Sequence, residues 1–126
     1  MANGKKVLII DDDEFLLDMY AVKFRESGFD VQVASSGGDA EAAIKNGFSP
    51  DVILLDLVMP GMDGFDFLKS IKTLRPALHA KVVILTNLGQ KEDIDKGLKL
   101  GAADYIVKAH HTPSEVVNKV SAMLST

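Results

Sequence analysis

Asp51-Val52-Ile53-Leu54-Leu55-Asp56-Leu57-Val58-Met59-Pro60-Gly61-Met62-Asp63-Gly64 decides the fold. Its apolar run has no polar alternation and is closed at both ends by acids. That is the pattern of a parallel strand covered by helices on both faces, since neither face meets water. The proline and glycines after it suit a loop that exposes Asp56. Lys6-Val7-Leu8-Ile9-Ile10 and Lys81-Val82-Val83-Ile84-Leu85-Thr86 repeat the pattern, and Asp30 to Ala34 and Ala103 to Val107 are weaker strands.

Helical segments lie between the strands. Leu16, Met19, Tyr20 and Phe24 recur at helical spacing and stop at Ser27-Gly28. A second helix runs from about Gly38 to Asn46, with Ser36 as N-cap, Asp39 in its first turn and Gly47 as its stop. A third follows Asp63, turns Phe67, Leu68, Ile71 and Leu74 toward the core, and ends before Pro76. The fourth, near Gln90 to Leu100, is the most polar, with Ile94 and Leu98 as its main apolar contacts and Gly101 as terminator. Thr112-Pro113-Ser114-Glu115 opens the last with capping-box spacing and a proline at the first helical position, and Val116, Val117, Val120, Met123 and Leu124 form its buried face. Strand and helix thus alternate about five times with short connections, which predicts a doubly wound α/β fold with a parallel sheet. No linker or repeat divides residues 1–126, so one domain is expected, with any output domain outside this chain.

Composition narrows the function. The 126 residues carry 14 Lys plus Arg against 18 Asp plus Glu, a net charge of -4, which leaves no broad basic surface for nucleic acid or anionic lipid. The absence of cysteine excludes a disulfide scaffold, a thiolate metal site and a cysteine nucleophile. No apolar run approaches the roughly 20 residues of a membrane span, and Met1 to Lys6 leads into a strand rather than a signal peptide, so a cytoplasmic address is expected.

In open parallel sheets ligands bind outside the carboxyl ends of the strands, where strand order reverses. The first strand ends in Asp11-Asp12-Asp13 and the third in Asp56, which gathers carboxylates in one cleft if the two are neighbours. Two unit charges about 4 Å apart repel by about 4 kcal/mol at an effective dielectric of about 20, so the cluster needs a cation, a proton or a basic side chain. Oxygen-only ligands suit Mg²⁺. The fourth strand ends in Thr86-Asn87, a hydroxyl donor, and the fifth at Lys108, a fixed positive charge. Such a set could bind a metal and stabilise a phosphoryl group on an aspartate.

Four motifs, each ending its own strand, now stand in order: Val7 to Asp13, Asp51 to Gly64, Leu85-Thr86, and Gly101-Ala102-Ala103-Asp104-Tyr105-Ile106-Val107-Lys108. The combination closely resembles the receiver domain of two-component response regulators, in its stand-alone form, over essentially the whole chain. The resemblance implies a flavodoxin-like (βα)5 three-layer sandwich with a parallel sheet of order 2-1-3-4-5. It implies that Asp56 accepts a phosphoryl group from a sensor histidine kinase or histidine phosphotransfer protein. Asp12, Asp56 and the backbone carbonyl of Val58 match direct Mg²⁺ ligands, and Asp11 matches an acid that holds the ion through water. Lys108 and Thr86 match the groups that contact the phosphoryl oxygens, and Tyr105 matches an aromatic switch that turns inward with the threonine. The surface of the fourth helix, fifth strand and fifth helix would present the signal to a downstream effector protein. The chain would act as a monomer or a phosphorylation-dependent dimer, a signalling module with Mg²⁺-dependent self-phosphorylation and self-dephosphorylation rather than an enzyme in the strict sense.

Three places depart from the commonest pattern of that family. Ala109 stands where many receivers place a proline that makes a cis bond, so Lys108–Ala109 is either strained or trans with an altered loop. Asn87 stands where a small residue is usual and narrows access to Asp56. Val58 and Leu88 are apolar at positions that tune dephosphorylation, which predicts a slowly hydrolysing phosphoaspartate.

Plainer readings apply elsewhere. Asp13 suits a helix cap, Tyr105 also suits a half-buried core ring, and His110-His111 reads as a solvated pair without a role. Lys91, Glu92, Asp93, Asp95 and Lys96 read as the wet face of the fourth helix. An aspartate-dependent phosphatase of the haloacid dehalogenase type is disfavoured, because Asp11-Asp12-Asp13-Glu14 lacks that class's ending and the chain lacks a cap domain. An FMN carrier is disfavoured because three aspartates would repel the phosphate. A degenerate receiver that signals by protein binding without phosphorylation is the remaining alternative, and the filled site positions speak against it.

Overall fold

The computed structural model describes residues 4–74 and 78–125. The apolar runs become β1 (Lys6–Ile10), β2 (Asp30–Ala34), β3 (Val52–Leu55), β4 (Lys81–Thr86) and β5 (Asp104–Val107). Alternating with them are α1 (Glu14–Glu26), α2 (Gly37–Lys45), α3 (Gly64–Leu74), α4 (Lys91–Lys99) and α5 (Pro113–Leu124). A 3₁₀ turn, Lys108–His110, joins β5 to α5. Asp51 and Asp56 flank β3 rather than belong to it, and β5 begins one residue after Ala103. The expected stop of α3 at Pro76 lies outside the described residues.

All four strand pairings are parallel, in the order β2-β1-β3-β4-β5. Side chains of a strand alternate between faces, and both sets here are apolar. Leu8, Ile10, Ile53, Leu55 and Ile84 pack with Ile44, Phe67 and Leu68 of α2 and α3. Val7, Ile9, Val52, Leu54, Val83, Leu85 and Ile106 pack with Leu17 and Phe24 of α1 and Val116 and Val120 of α5. The sheet is therefore a middle layer buried on both sides, which is why its strands read as unbroken hydrophobic runs. The strand order reverses between β1 and β3, and their carboxyl ends open the cleft.

The helix ends follow the expected chemistry. Asp13 caps α1 by accepting from the N–H groups of Phe15 and Leu16, and Ser36 caps α2 by accepting from Asp39 N–H. Thr112 and Glu115 form the full capping box of α5. Helix α4 departs from expectation. Leu98 is 44 % exposed, and the buried residue of the helix is Gly97. A Cβ on Gly97 would lie 2.3 Å from Ile84 Cδ1, so the missing side chain lets the helix backbone settle on the sheet and turns Leu98 outward. No peptide bond among the described residues is cis, so Lys108–Ala109 is trans within the 3₁₀ turn.

Candidate functional site

Strand register assembles the site. Ile10 pairs with Leu55, and the ladder continues one residue further on each strand, with Asp11 N–H donating to Ala34 O and Asp56 N–H to Ile10 O. Asp11 and Asp56 are thereby held side by side at the carboxyl edge, both buried. Thr86 pairs with Val107, which sets Lys108 on the same rim.

Each oxygen of Asp56 has a different partner. The Thr86 hydroxyl donates to Oδ1 at 2.8 Å, and Lys108 Nζ donates to Oδ2 at 3.0 Å. Val58 N–H also donates to Oδ1, at 3.2 Å, folding the chain back over the carboxylate. Lys108 Nζ donates to Asp11 Oδ2 at 2.5 Å, and Asp13 N–H donates to Asp11 Oδ1 at 3.0 Å. Asp12 is exposed at the mouth, and one oxygen each of Asp11, Asp12 and Asp56 lie within 4.8 Å of one another. Leu16, Val58 and Leu88 complete the walls of the cleft, with Asn87 on its rim.

The electrostatics follow from burial and this pairing. Burial raises the Asp11 carboxyl above its ordinary range, against the opposing pull of its hydrogen bonds to Lys108 and Asp13. Burial alone would lower the Lys108 ammonium, but its bonds to Asp11 and Asp56 and their charges outweigh it and hold the amine protonated. One lysine thus neutralises part of a cluster of three carboxylates. An all-oxygen set with negative charge left over and Asp12 open to solvent fits a hard divalent cation.

Tyr105 is half-buried on β5 and donates its hydroxyl to the carbonyl of Leu88, in the loop after Thr86. Burial, aided by the charges of Asp93 and Asp56, pushes its phenol up to about 12.

The structure therefore brings together Asp11, Asp12, Asp56, Thr86 and Lys108, places Val58 at the mouth, 57 % exposed, and ties Tyr105 to the adjoining loop. Several partners were not legible in the sequence. Asn87 Oδ1 accepts from Ala109 N–H at 3.0 Å. Tyr20, buried on α1, lies within the fields of Lys108, Asp11 and Asp56. Lys96 stacks over the Phe65 ring, 4.3 Å from its centroid, and so is more than a wet-face charge. His110 is exposed as expected, but His111 is half-buried, with Nδ1 3.3 Å from Val107 O.

The family model for the response regulator receiver domain matches residues 7–121. The chain belongs to that family. Among its relatives is the chemotaxis protein CheY of Thermotoga maritima, 35% identical over 121 residues that cover 94% of this chain and 98% of that protein. The DNA-binding response regulator MtrA of Mycobacterium tuberculosis is 38% identical over 120 residues, 95% of this chain but 50% of MtrA. The chain thus spans about half the length of MtrA. Among solved structures, a CheY-like receiver domain protein from Methanospirillum hungatei superposes with a TM-score of 0.86 at 30% identity, covering 98% of this chain and 95% of that one. The receiver domain of the Francisella response regulator 1452 gives 0.85 at 34% identity, covering 97% and 98%. The fold is thus the CheY-like, flavodoxin-like one expected. Receiver domains in general bind Mg²⁺ and interact with histidine kinases and effectors of two-component systems. No helix among the described residues is long and apolar enough to cross a membrane.

Proposed function

We propose that residues 1–126 act as one receiver unit in the cytoplasm, taking a phosphoryl group onto Asp56 from a sensor histidine kinase or histidine phosphotransfer protein. The observation that carries this reading is the bracketing of the buried Asp56 carboxylate by the Thr86 hydroxyl on one oxygen and the Lys108 ammonium on the other. An Asp56 oxygen attacks phosphorus, the O–P bond forms as the donor's P–N bond breaks, and the imidazole leaves with the bonding pair and takes up a proton. The charge on the transferred group then lies where Lys108 and Thr86 donate, so both groups exchange a carboxylate partner for a phosphoryl oxygen. Asp11, Asp12, Asp56 and the Val58 carbonyl would hold Mg²⁺, which supplies charge neutralisation for the incoming phosphoryl oxygens.

Movement of Thr86 toward the new group bears on Tyr105 through the loop whose Leu88 carbonyl that ring holds. A change in α4 and β5 alters the face they form with the anchored α5, and that face signals to an effector protein, as a monomer or a phosphorylation-dependent dimer. The apolar Val58 and Leu88 offer no group to activate an attacking water, which supports a long-lived phosphoaspartate. A half-life of seconds with Mg²⁺ present would contradict that part of the reading.

Intact-mass spectrometry after incubation with acetyl phosphate tests the whole. The expected result is a Mg²⁺-dependent gain of about 80 Da, the phosphoryl mass, which Asp56→Asn abolishes. A folded wild-type protein that gains no mass overturns the assignment.

A further inference from the structure

The loops after β4 and β5 are joined by one side chain. Asn87 directly follows Thr86, Ala109 directly follows Lys108, and Asn87 Oδ1 accepts from Ala109 N–H at 3.0 Å. The N–H groups that open a helical turn have no partner within it, and Ala109 is the second residue of the 3₁₀ turn. The amide of Asn87 satisfies that donor and fixes the orientation of the turn from which Lys108 reaches inward. Past Thr86 and Val107 the ladder between β4 and β5 has ended. The side chain thus extends the connection of the two strands by one step beyond their backbone pairing.

We propose that Asn87 is a positioning residue, which holds the Lys108 turn against the Thr86 loop and sets the spacing of the two groups that grip Asp56. The proposal rests on the phosphoacceptor reading above and deepens it. Thr86 and Lys108 donate to opposite oxygens of one carboxylate, at 2.8 Å and 3.0 Å. A donor pair of that kind stabilises a transferring phosphoryl group only if both members keep their place when the carboxylate gives them up. Asn87 is itself exposed and its oxygen accepts from the turn that carries Lys108, so it acts through Lys108. This role differs from that of a gate. A gate works by the volume of its side chain, whereas a clamp works by the oxygen it offers.

Two substitutions separate these roles. Asn87→Leu keeps the branched shape, adds bulk and loses the acceptor, whereas Asn87→Ala loses both bulk and acceptor. Both variants are read by the rate of Mg²⁺-dependent phosphorylation of the full chain with acetyl phosphate, and by the amide exchange rate of Ala109 in NMR. If Asn87 is a clamp, both variants slow phosphorylation by about tenfold, less than the roughly hundredfold loss that a displacement of about 1 Å can cause. In both, the Ala109 amide exchanges about tenfold faster while the central strands keep their protection. A gate gives a different pattern, with Ala faster than wild type and the bulkier Leu slower, and that result overturns the proposal. Wild-type rates in both variants, with the wild type itself phosphorylated, also overturn the proposal and leave the phosphoacceptor function standing. Failure of the wild type to gain a phosphoryl group removes that function and this role together.

Discussion

Helix α5 buries Val116, Val117 and Val120 and starts in a full capping box, whereas α4, across the sheet, buries only Gly97 and starts at Gln90 with no side-chain cap. Both helices flank the same end of the sheet, yet they are held by different physics. Each fully buried valine contributes about 1.5 kcal/mol or more of transfer free energy, so α5 is anchored by its own side chains. Helix α4 rests its backbone on Ile84 through a residue with no side chain, and Lys96 over Phe65 adds one exposed-edge contact. Elements with few buried apolar contacts are the ones that move at low cost. The strand between the two helices, β5, carries Tyr105 on the α4 side, where its hydroxyl holds the loop that follows Thr86. The lightly seated helix is thus the one nearest the loop that senses the acceptor.

The sharpest way to break this comparison is paired truncation. Val116→Ala removes a fully buried side chain and should cost about 2 kcal/mol in urea unfolding. Leu98→Ala should stay within about 0.5 kcal/mol, as surface changes do. Equal losses would mean that α4 is anchored after all. The caps give a smaller contrast. Thr112→Ala removes the hydroxyl that accepts from Glu115 N–H and should cost about 1 kcal/mol, while Gln90→Ala removes no cap bond and should change unfolding by less than about 0.3 kcal/mol.

Much of the fold was legible because its signals are local. The runs Val7–Ile10, Val52–Leu55 and Val82–Leu85 announce strands buried on both faces, and Thr112-Pro113-Ser114-Glu115 states where α5 begins. The acidic residues, Thr86 and Lys108 were legible as a set because each ends a strand. Pairing between distant residues was not legible. Lys108 bonds Asp11 across 97 positions, and nothing in either motif says that the amine bridges two carboxylates rather than facing solvent. Helix α4 misled because Ile94 and Leu98 share a face on a helical wheel, while the sheet is met at the one position where the backbone can come close. Asn87 looked like an obstruction because its partner, a backbone N–H, leaves no mark in a sequence.

Alkaline pH sharpens the role of Tyr105. Its phenol stands at about 12 in the fold against an ordinary 10.0, so the folded state holds a proton that the unfolded chain releases. Below the ordinary value both states are protonated and the tyrosine adds no pH dependence. As pH rises from 10.0 toward about 12, the unfolded state alone ionises and stability falls. Alkaline unfolding of Tyr105→Phe should lack that part of the decline, and identical alkaline limbs would place the ring in solvent.

The most direct test of the account compares hydrogen exchange in the wild type before and after phosphorylation by acetyl phosphate with Mg²⁺, using Asp56→Asn as the control. The account predicts changed protection from Asn87 through Val107, which spans the Thr86 loop, α4 and β5. It predicts near-constant protection in α1 and α5, and no change in Asp56→Asn. Changes spread evenly over α1, α4 and α5, or confined to α5, would contradict it.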